Sequence, residues 1–183
     1  MFNRLFALLI LIVLSPIFIF VAFAILIEDG YPFFFNQKRV GINYSFFNIY
    51  KFRSMKKNTP NVATHLLINP DQYLLKIGKL IRKTSLDELP NLINIIKGEM
   101  VFVGPRPALF NQDDLMAFRV ATGVDKLKPG ITGWAQINGR DDISIEKKVQ
   151  LEQEYMYERS ILFDLEIIIK TFANVLFRKG VSH

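Results

Sequence analysis

The chain opens with a long apolar segment. Residues 5–27 form a run of 23 residues without a charge, preceded by Arg4 and followed by Glu28-Asp29. As a straight helix this run would measure ~34 Å, enough to cross the ~30 Å hydrocarbon core of a bilayer. Ser15-Pro16 breaks the run near its midpoint, since proline removes a helical hydrogen bond. The Ser15 hydroxyl is expected to bond the preceding turn and promote a bend there.

Three interpretations of this segment compete: a secretory signal, a spanning helix and a re-entrant helix-break-helix. The run is longer than a signal and continues past its small residues, so a signal is disfavoured. A kinked helix that spans the bilayer remains open. Basic groups lie beyond both ends, and the tendency of such groups to stay cytoplasmic favours the re-entrant form. We therefore predict an anchor over residues 1–28 and one domain, partly sunk in the membrane, over residues 29–183.

The remaining patterns predict short strands and amphipathic helices. Residues 28–55 are extended and aromatic, and the alternation of Phe47, Ile49, Lys51 and Arg53 predicts a half-buried strand. Helical patterns cover residues 72–83, 113–121, 143–158 and 161–177. The last of these is strongly apolar, which fits either a helix lying on a membrane or a core helix. The fold class predicted is a single α/β domain.

The stretch from residue 85 to residue 107 contains the main candidate functional residues of the chain. Asp87 and Glu88 precede an apolar run, and Ser85 stands three residues before Glu88, as in a capping box. Asp87 is the alternative cap. Either arrangement puts both carboxylates at a helix N-terminus, where free N–H groups favour the ionised form. Lys97-Gly98 then predicts a helix end, and residues 100–103 a strand.

This strand leads into Gly104-Pro-Arg-Pro107. The two prolines fix the backbone on either side of Arg106, so a cationic side chain projects from a stiff turn. Such an arginine binds phosphate oxygens with two parallel hydrogen bonds. An acidic pair with a fixed arginine suits metal-assisted phosphoryl chemistry. From spacing alone, a helix cap and a rigid corner explain the same residues.

The charge and composition of the chain limit the classes of partner that it could bind. The net charge is +6, and residues 31–84 hold ten Lys or Arg but one acid, Asp71. A basic block among aromatic residues points to nucleic acid, an anionic membrane face or phosphorylated small molecules, or it is a solvated face. Without cysteine, disulfides, cysteine zinc sites and thiol catalysis are excluded. Two histidines, His65 and His183, are too few for a metal site.

These residues resemble a known family. Residues 85–107, together with Lys128-Pro-Gly-Ile-Thr-Gly-Trp-Ala-Gln-Ile-Asn-Gly-Arg140, resemble the bacterial sugar transferases called monotopic phosphoglycosyl transferases. Further matches are Glu28-Asp-Gly-Tyr-Pro-Phe-Phe34, Gln37-Lys-Arg-Val-Gly41 and Tyr50-Lys-Phe-Arg-Ser-Met55. They cover nearly the whole chain in the order of the family. The chain corresponds to a minimal member without further N-terminal membrane segments.

The resemblance implies an enzyme anchored by a re-entrant helix at the cytoplasmic face of the bacterial inner membrane. It implies transfer of a sugar 1-phosphate from a UDP-sugar to polyprenyl (undecaprenyl) phosphate, which yields polyprenyl diphosphate sugar and UMP. This reaction initiates the synthesis of capsule, O-antigen, exopolysaccharide or glycoprotein glycans. Membrane lipids are expected partners, and nucleic acid is not.

The resemblance also implies roles for individual residues. Asp87 would form a covalent intermediate, while Glu88 would bind Mg²⁺ or deprotonate the acceptor; both carboxylates are candidate ligands of the metal. Asp164 is an additional active-site candidate, although a cap at the start of a helix is its default role. The candidates for binding substrate phosphates are Arg82, Arg106, Arg140, Lys51 and Arg53.

Two rival functions stay open. A membrane-bound phosphohydrolase would use the same acids on a pyrophosphate substrate and turn over without an acceptor. A non-catalytic membrane-surface protein would bind nucleic acid through the basic block, with a strong dependence on salt.

Overall fold

A computed structural model of the protein describes residues 2–60, 69–139 and 143–177. Helices and short strands alternate along these residues, so the prediction of a mixed α/β fold is confirmed. The helices are α1 (Phe2–Val13), α2 (Ser15–Asp29), α3 (Lys76–Lys83), α4 (Asn91–Lys97), α5 (Asp113–Thr122), α6 (Trp134–Ile137), α7 (Ile145–Glu158) and α8 (Ile161–Leu176). The strands are β1 (Phe34–Val40), β2 (Phe46–Phe52), β3 (Val101–Val103) and β4 (Gly130–Thr132).

The strands form two small sheets. β1 and β2 make an antiparallel hairpin, and β3 pairs in parallel with β4. Along β2, Phe47 and Ile49 are buried while their neighbours Phe46 and Asn48 face outward. This alternation confirms the half-buried strand predicted there, and its buried face packs against α4.

Helix α4 lies at the centre of one core cluster. Its side chains pack between α1 and β2, in a cluster of Ala7, Phe47, Ile49, Leu92, Ile95 and Met100. Asn94 is fully buried on the same helix; it accepts from the Tyr50 N–H (3.1 Å) and donates to the Asn48 carbonyl (2.7 Å). A buried amide satisfied by strand backbone fixes the helix relative to the strand. α4 and β2 therefore form one rigid support.

Helices α1 and α2 form a bent apolar pair. They meet at Leu14 with a bend of 64°, and the Ser15 hydroxyl donates to the Ile12 carbonyl at 2.7 Å. The break and the serine bond predicted there are both confirmed. Within the described ranges, no single helix is long and apolar enough to cross a bilayer, whereas this pair meets the test of length and composition.

Both ends of the bent pair contact the same domain. The Arg4 guanidinium lies against Gly98, where an added Cβ would be 2.0 Å from Nη2. At the other end, Asp29 pairs with the guanidinium of Arg53, just past β2. Between these ends both helices expose apolar side chains, namely Leu5, Leu9, Ile12, Val13, Ile19, Phe20, Phe23 and Ile27.

Helix α8 has one buried face and one exposed apolar face. Ile167 is fully buried and packs with Val103 and Tyr155. The exposed side chains include Ile161, Leu162, Leu165, Ile169 and Phe172. The buried face shows that α8 packs in the core, and a position of its exposed face on a membrane stays a prediction.

The helix predicted over residues 72–83 is shorter in the structure. A 3₁₀ turn at Pro70–Tyr73 precedes α3, which begins at Lys76. Gly78 lies within α3 at a close approach to the chain after β2: a Cβ at Gly78 would be 2.1 Å from the Ser54 carbonyl oxygen. Glycine is therefore required for α3 to pack against this segment.

Candidate active site

The acidic pair lies in a 3₁₀ turn, Leu86–Glu88, between α3 and α4. Ser85 has φ 56° and ψ 17°, and its side chain makes no capping hydrogen bond. The predicted capping box is wrong, because a cap residue needs extended backbone and Ser85 is left-handed. α4 begins only at Asn91 and also has no side-chain cap, so Asp87 is not the cap either.

Two cations from distant parts of the chain face Glu88. Lys51 on β2 reaches it with Nζ 2.6 Å from Oε1, and Arg106 lies after β3 with Nη1 4.0 Å from the same oxygen. The Arg106 side chain is 41% exposed, so its donors are accessible from solvent. The fold therefore brings Lys51, Arg106 and the acidic pair together, as the proposed chemistry requires.

The pKa of Asp87 is raised to about 6. Burial is the largest cause and the negative charge of Glu88 adds to it, while Lys51 and Arg82 act in the opposite direction. The expectation that a helix N-terminus would favour the ionised form of Asp87 is wrong in direction, since α4 begins four residues further on. Arg82, five residues before Asp87 in the last turn of α3, is close enough to lower the pKa of Asp87. A carboxylate of higher pKa is more basic and hence a stronger nucleophile.

Hydrogen bonds from several elements hold the backbone of the Pro-Arg-Pro turn. Pro105 and Pro107 have no N–H, so the turn cannot form a ladder of its own and its carbonyls need outside donors. Gly130 N donates to the Pro105 carbonyl (2.9 Å), and Arg39 Nη1 to that of Pro107 (3.1 Å). Arg119 Nη2 donates to the Arg106 carbonyl (2.9 Å). The stiffness predicted from the two prolines is reinforced by tertiary contacts.

Close backbone contact joins this turn to the Lys128–Arg140 motif. A Cβ on Gly104 would lie 2.4 Å from the Lys128 carbonyl oxygen, and one on Gly130 would lie 2.2 Å from Gly104 N. Both positions therefore require glycine. The two motifs that carried the family resemblance are in direct contact.

Two other predicted residues have different surroundings. Arg53 is buried, and its polar contacts are with Asp29 and the Gly30 carbonyl at the end of α2, away from the acidic pair. Asp164 accepts from the Tyr155 hydroxyl at 2.7 Å. Ser160, not Asp164, caps α8, because its side chain accepts from Phe163 N.

Arg140 lies outside the described residues. Trp134 packs against Phe163, with ring centroids 5.0 Å apart, and donates from Nε1 to Glu154 at 3.1 Å. The Trp134 ring is therefore part of the packing between α6 and α8. The phosphate-binding roles assigned to Lys51, Arg53, Arg82, Arg106 and Arg140 stay predictions.

The sequence did not lead us to predict a buried ion pair next to the Pro-Arg-Pro turn. Arg119 on α5 pairs with Glu152 on α7, 33 residues away, and Tyr155 lies one turn further along α7. The sequence did contain an indication of this pair. Val149, Glu152 and Tyr155 share one face of the predicted helix, so Glu152 lies between an apolar and an aromatic side chain on that face. A carboxylate on a buried face needs a cationic partner.

The oxygen donors suit a magnesium ion shared with substrate. Mg²⁺ is bound in enzymes by one or two carboxylates together with substrate phosphates and water. Asp87 and Glu88 supply two adjacent carboxylates, and burial with mutual repulsion makes a cation there favourable. In the described part of the chain, no cluster of three or more His, Cys, Asp or Glu side chains could hold a metal. A magnesium ion held by these two carboxylates would take its remaining ligands from substrate and water.

A partly buried carboxylate pair faced by a lysine and an arginine is an arrangement suited to phosphoryl transfer. Comparison with known proteins identifies the family. The family model described as bacterial sugar transferase matches residues 1–178. The chain belongs to this family of phosphoglycosyl transferases, and it is an enzyme.

Several curated relatives match most of the chain. The uncharacterized sugar transferase EpsL of Bacillus subtilis is 42% identical over 169 residues, which cover 92% of this chain and 82% of the relative. The exopolysaccharide production protein ExoY of Sinorhizobium fredii is 37% identical, covering 98% and 85%. The UDP-glucose:undecaprenyl-phosphate glucose-1-phosphate transferase of Escherichia coli is 39% identical over 90% of this chain but only 37% of the relative.

Proposed function

We propose that the protein transfers a sugar 1-phosphate from a UDP-sugar to undecaprenyl phosphate, releasing UMP, as the first membrane step of glycan synthesis. The observation that carries this proposal is the Asp87-Glu88 pair with Lys51 and Arg106 beside it. Relatives named undecaprenyl-phosphate galactose phosphotransferase and undecaprenyl-phosphate glucose phosphotransferase support the acceptor. The exopolysaccharide relatives support the type of pathway.

The reaction proceeds in two displacements. In the first, a carboxylate oxygen of Asp87 attacks the β-phosphorus of the UDP-sugar, the bond to the bridging oxygen breaks, and UMP leaves with that oxygen. In the second, a phosphate oxygen of undecaprenyl phosphate attacks the same phosphorus, and the Asp87 carboxylate is released. Arg106, Lys51 and Arg82 stabilise the negative charge on the transferred group.

Glu88 holds a different position from Asp87. It already bonds Lys51, and it contacts Arg106 as well, so it orients both cations toward the transferred phosphate. With Asp87 it would hold Mg²⁺, which supplies Lewis-acid stabilisation of the diphosphate when bound. Alternatively, Glu88 would take a proton from the acceptor in the second displacement.

The bent helix pair supports attachment to the membrane by a re-entrant anchor. Arg4 and Asp29 at its two ends contact one and the same domain, as an anchor with both ends on one side of the bilayer requires. The apolar bend at Leu14 then enters the membrane and returns, which is a re-entrant anchor. The exposed apolar face of α8 lies against the same leaflet. The basic block favours the cytoplasmic side.

The decisive experiment is detection of the covalent intermediate. Purified protein is mixed with UDP-glucose or UDP-galactose, without acceptor, and its peptides are analysed by mass spectrometry. We expect a hexose-phosphate adduct on the peptide that contains Asp87 with the donor used, and none in Asp87→Asn. An adduct on Glu88 would reverse the two roles, and full turnover by Asp87→Asn would falsify the covalent route.

The rival functions give distinct outcomes in a second assay. UMP release is measured for a panel of UDP-sugars with and without undecaprenyl phosphate. Strict dependence of sustained turnover on the acceptor supports transfer. Sustained turnover without acceptor indicates a phosphohydrolase. No UMP release together with salt-dependent binding of RNA or DNA indicates the nucleic-acid-binding alternative.

A further inference from the structure

Arg119 links the Pro-Arg-Pro turn to a buried ion pair. Its Nη2 donates to the Arg106 carbonyl at 2.9 Å, and its Nε and Nη2 donate to the two Glu152 oxygens at 2.8 and 2.5 Å. Arg119 is 4% exposed and Glu152 is 2% exposed. The guanidinium is therefore fixed on one side by a carboxylate and on the other by the backbone of the turn.

Stability gives only a weak reason for such a pair. Burying two charges carries a large desolvation cost, and well-packed apolar side chains often stabilise a fold as well or better. What an arginine–carboxylate fork offers is direction, because a planar guanidinium held by two bonds presents its remaining donors at fixed angles. Here a fixed donor meets the carbonyl next to the Arg106 Cα.

A second anchor comes from the same face of α7. Tyr155 lies one turn after Glu152, and its hydroxyl is 3.1 Å from the Val103 carbonyl oxygen and 2.7 Å from Asp164 Oδ1. Burial and the bond to Asp164 raise the pKa of Tyr155 far above its ordinary value, so the hydroxyl keeps its proton. α7 thus supports the chain at Val103 directly and at Arg106 through Arg119.

We propose that Arg119, oriented by Glu152, is a positioning residue that sets the place of the Arg106 guanidinium relative to Glu88. The inference rests on the proposed function, because it takes Arg106 as a ligand of the transferred phosphate. If the carbonyl anchor is lost, the peptide of Arg106 can rotate and move the guanidinium. A displacement of about 1 Å at such a group can cost about a hundredfold in rate.

A double-mutant cycle tests this role. We compare kcat/KM for UMP release in wild type, Arg119→Lys, Arg106→Ala and the double variant, with undecaprenyl phosphate and the UDP-hexose that wild type uses. Lysine keeps the charge but cannot bond both Glu152 and the Arg106 carbonyl in this geometry. We expect a loss of tenfold or more in the wild-type background and less than twofold in the Arg106→Ala background.

Val149→Ala is the matched control. Val149 is buried on the same face of α7, one turn before Glu152, and packs against Leu115 and Met116 of α5. Its truncation weakens the packing between α5 and α7 but removes no hydrogen bond to the Pro-Arg-Pro turn. A purely structural effect lowers activity by the same factor in both backgrounds, so Val149→Ala should show no coupling to Arg106→Ala.

A charge-free variant covers the case in which Arg119→Lys fails to fold. Arg119→Met combined with Glu152→Met removes both buried charges and keeps the volume, so it should fold. It should still lose tenfold or more in activity, and lose almost nothing further when Arg106→Ala is added.

Each outcome of the double-mutant cycle either supports or overturns the positioning role of Arg119. Equal factors in the two backgrounds overturn the positioning role while leaving the proposed function intact. Full activity of Arg106→Ala overturns the positioning role and leaves the proposed function intact, whereas no UMP release by wild type overturns both.

Discussion

The partly buried position of Asp87 should lower the folding stability. Its pKa is raised from 3.8 to about 6, first by burial and then by the charge of Glu88. Because the pKa in the folded state lies above the ordinary value, the folded protein holds the proton more tightly than the unfolded chain. Stability therefore falls as the pH rises from about 4 to about 6 and stays lower above it. The shift corresponds to at most about 3 kcal/mol above pH 6.

Asp87→Asn removes this penalty, because the amide is neutral at every pH. We expect the variant to unfold at a higher temperature than wild type at pH 8, by up to roughly 6–12 °C, at about 2–4 °C per kcal/mol for a chain of this size. The difference should shrink to a small value at pH 4, where wild-type Asp87 is protonated in the folded state. The assay is thermal unfolding in detergent with EDTA, so that no divalent cation shields the pair.

Asp71→Asn serves as the control for this experiment. Asp71 is an exposed residue in the 3₁₀ turn before α3, so its variant reports what the same chemical change does at the surface. A variant Asp87→Asn that is no more stable than wild type at pH 8 would refute the reasoning. So would a stabilisation of equal size at pH 4 and pH 8.

Three further predictions concern the site and the anchor. Arg106→Lys keeps the charge but loses the planar guanidinium, so kcat/KM for UMP release should fall more than tenfold. This loss corresponds to about 1.4 kcal/mol or more in the activation barrier, and the fold should be unchanged. Near-wild-type activity would mean that Arg106 only shapes the turn. EDTA should abolish turnover and added Mg²⁺ should restore it; full turnover in EDTA would exclude a dissociable metal. Pro16→Leu should straighten the bend and place part of the population in a spanning topology, as judged by labelling tags at both termini; periplasmic labelling of the wild-type N-terminus would contradict the re-entrant anchor.

Local sequence patterns predicted several breaks, helix ends and strands of this protein correctly. The break at Ser15-Pro16, the end of α4 at Gly98, and the strand that leads to Arg106 depend on proline, glycine and alternation, which act within a few residues. The same reasoning failed at Ser85. There the S-x-x-E pattern of a capping box was overridden by a left-handed backbone and a separate 3₁₀ turn.

What the sequence could not predict is which distant groups meet. Lys51 and Glu88 are 37 residues apart, and nothing in either segment names the other as its partner. Arg53, two residues after Lys51, was assigned the same role but binds Asp29, because the chain has left β2 and turned toward the end of α2. Such choices depend on the three-dimensional arrangement of strands and helices, so they become visible only in the fold.

The packing of α1 on α4 has a practical consequence. Ala7 is fully buried in a cluster with Leu92 and Ile95 of α4, the helix that follows the acidic turn, and with Met100 just after it. Truncation before α2 would leave a hydrophobic hole beside α4 and loosen the acidic turn that precedes it. We therefore expect a fragment trimmed of the first helix to lose activity as well as a membrane contact, so α1 should be kept in any shortened form of this enzyme.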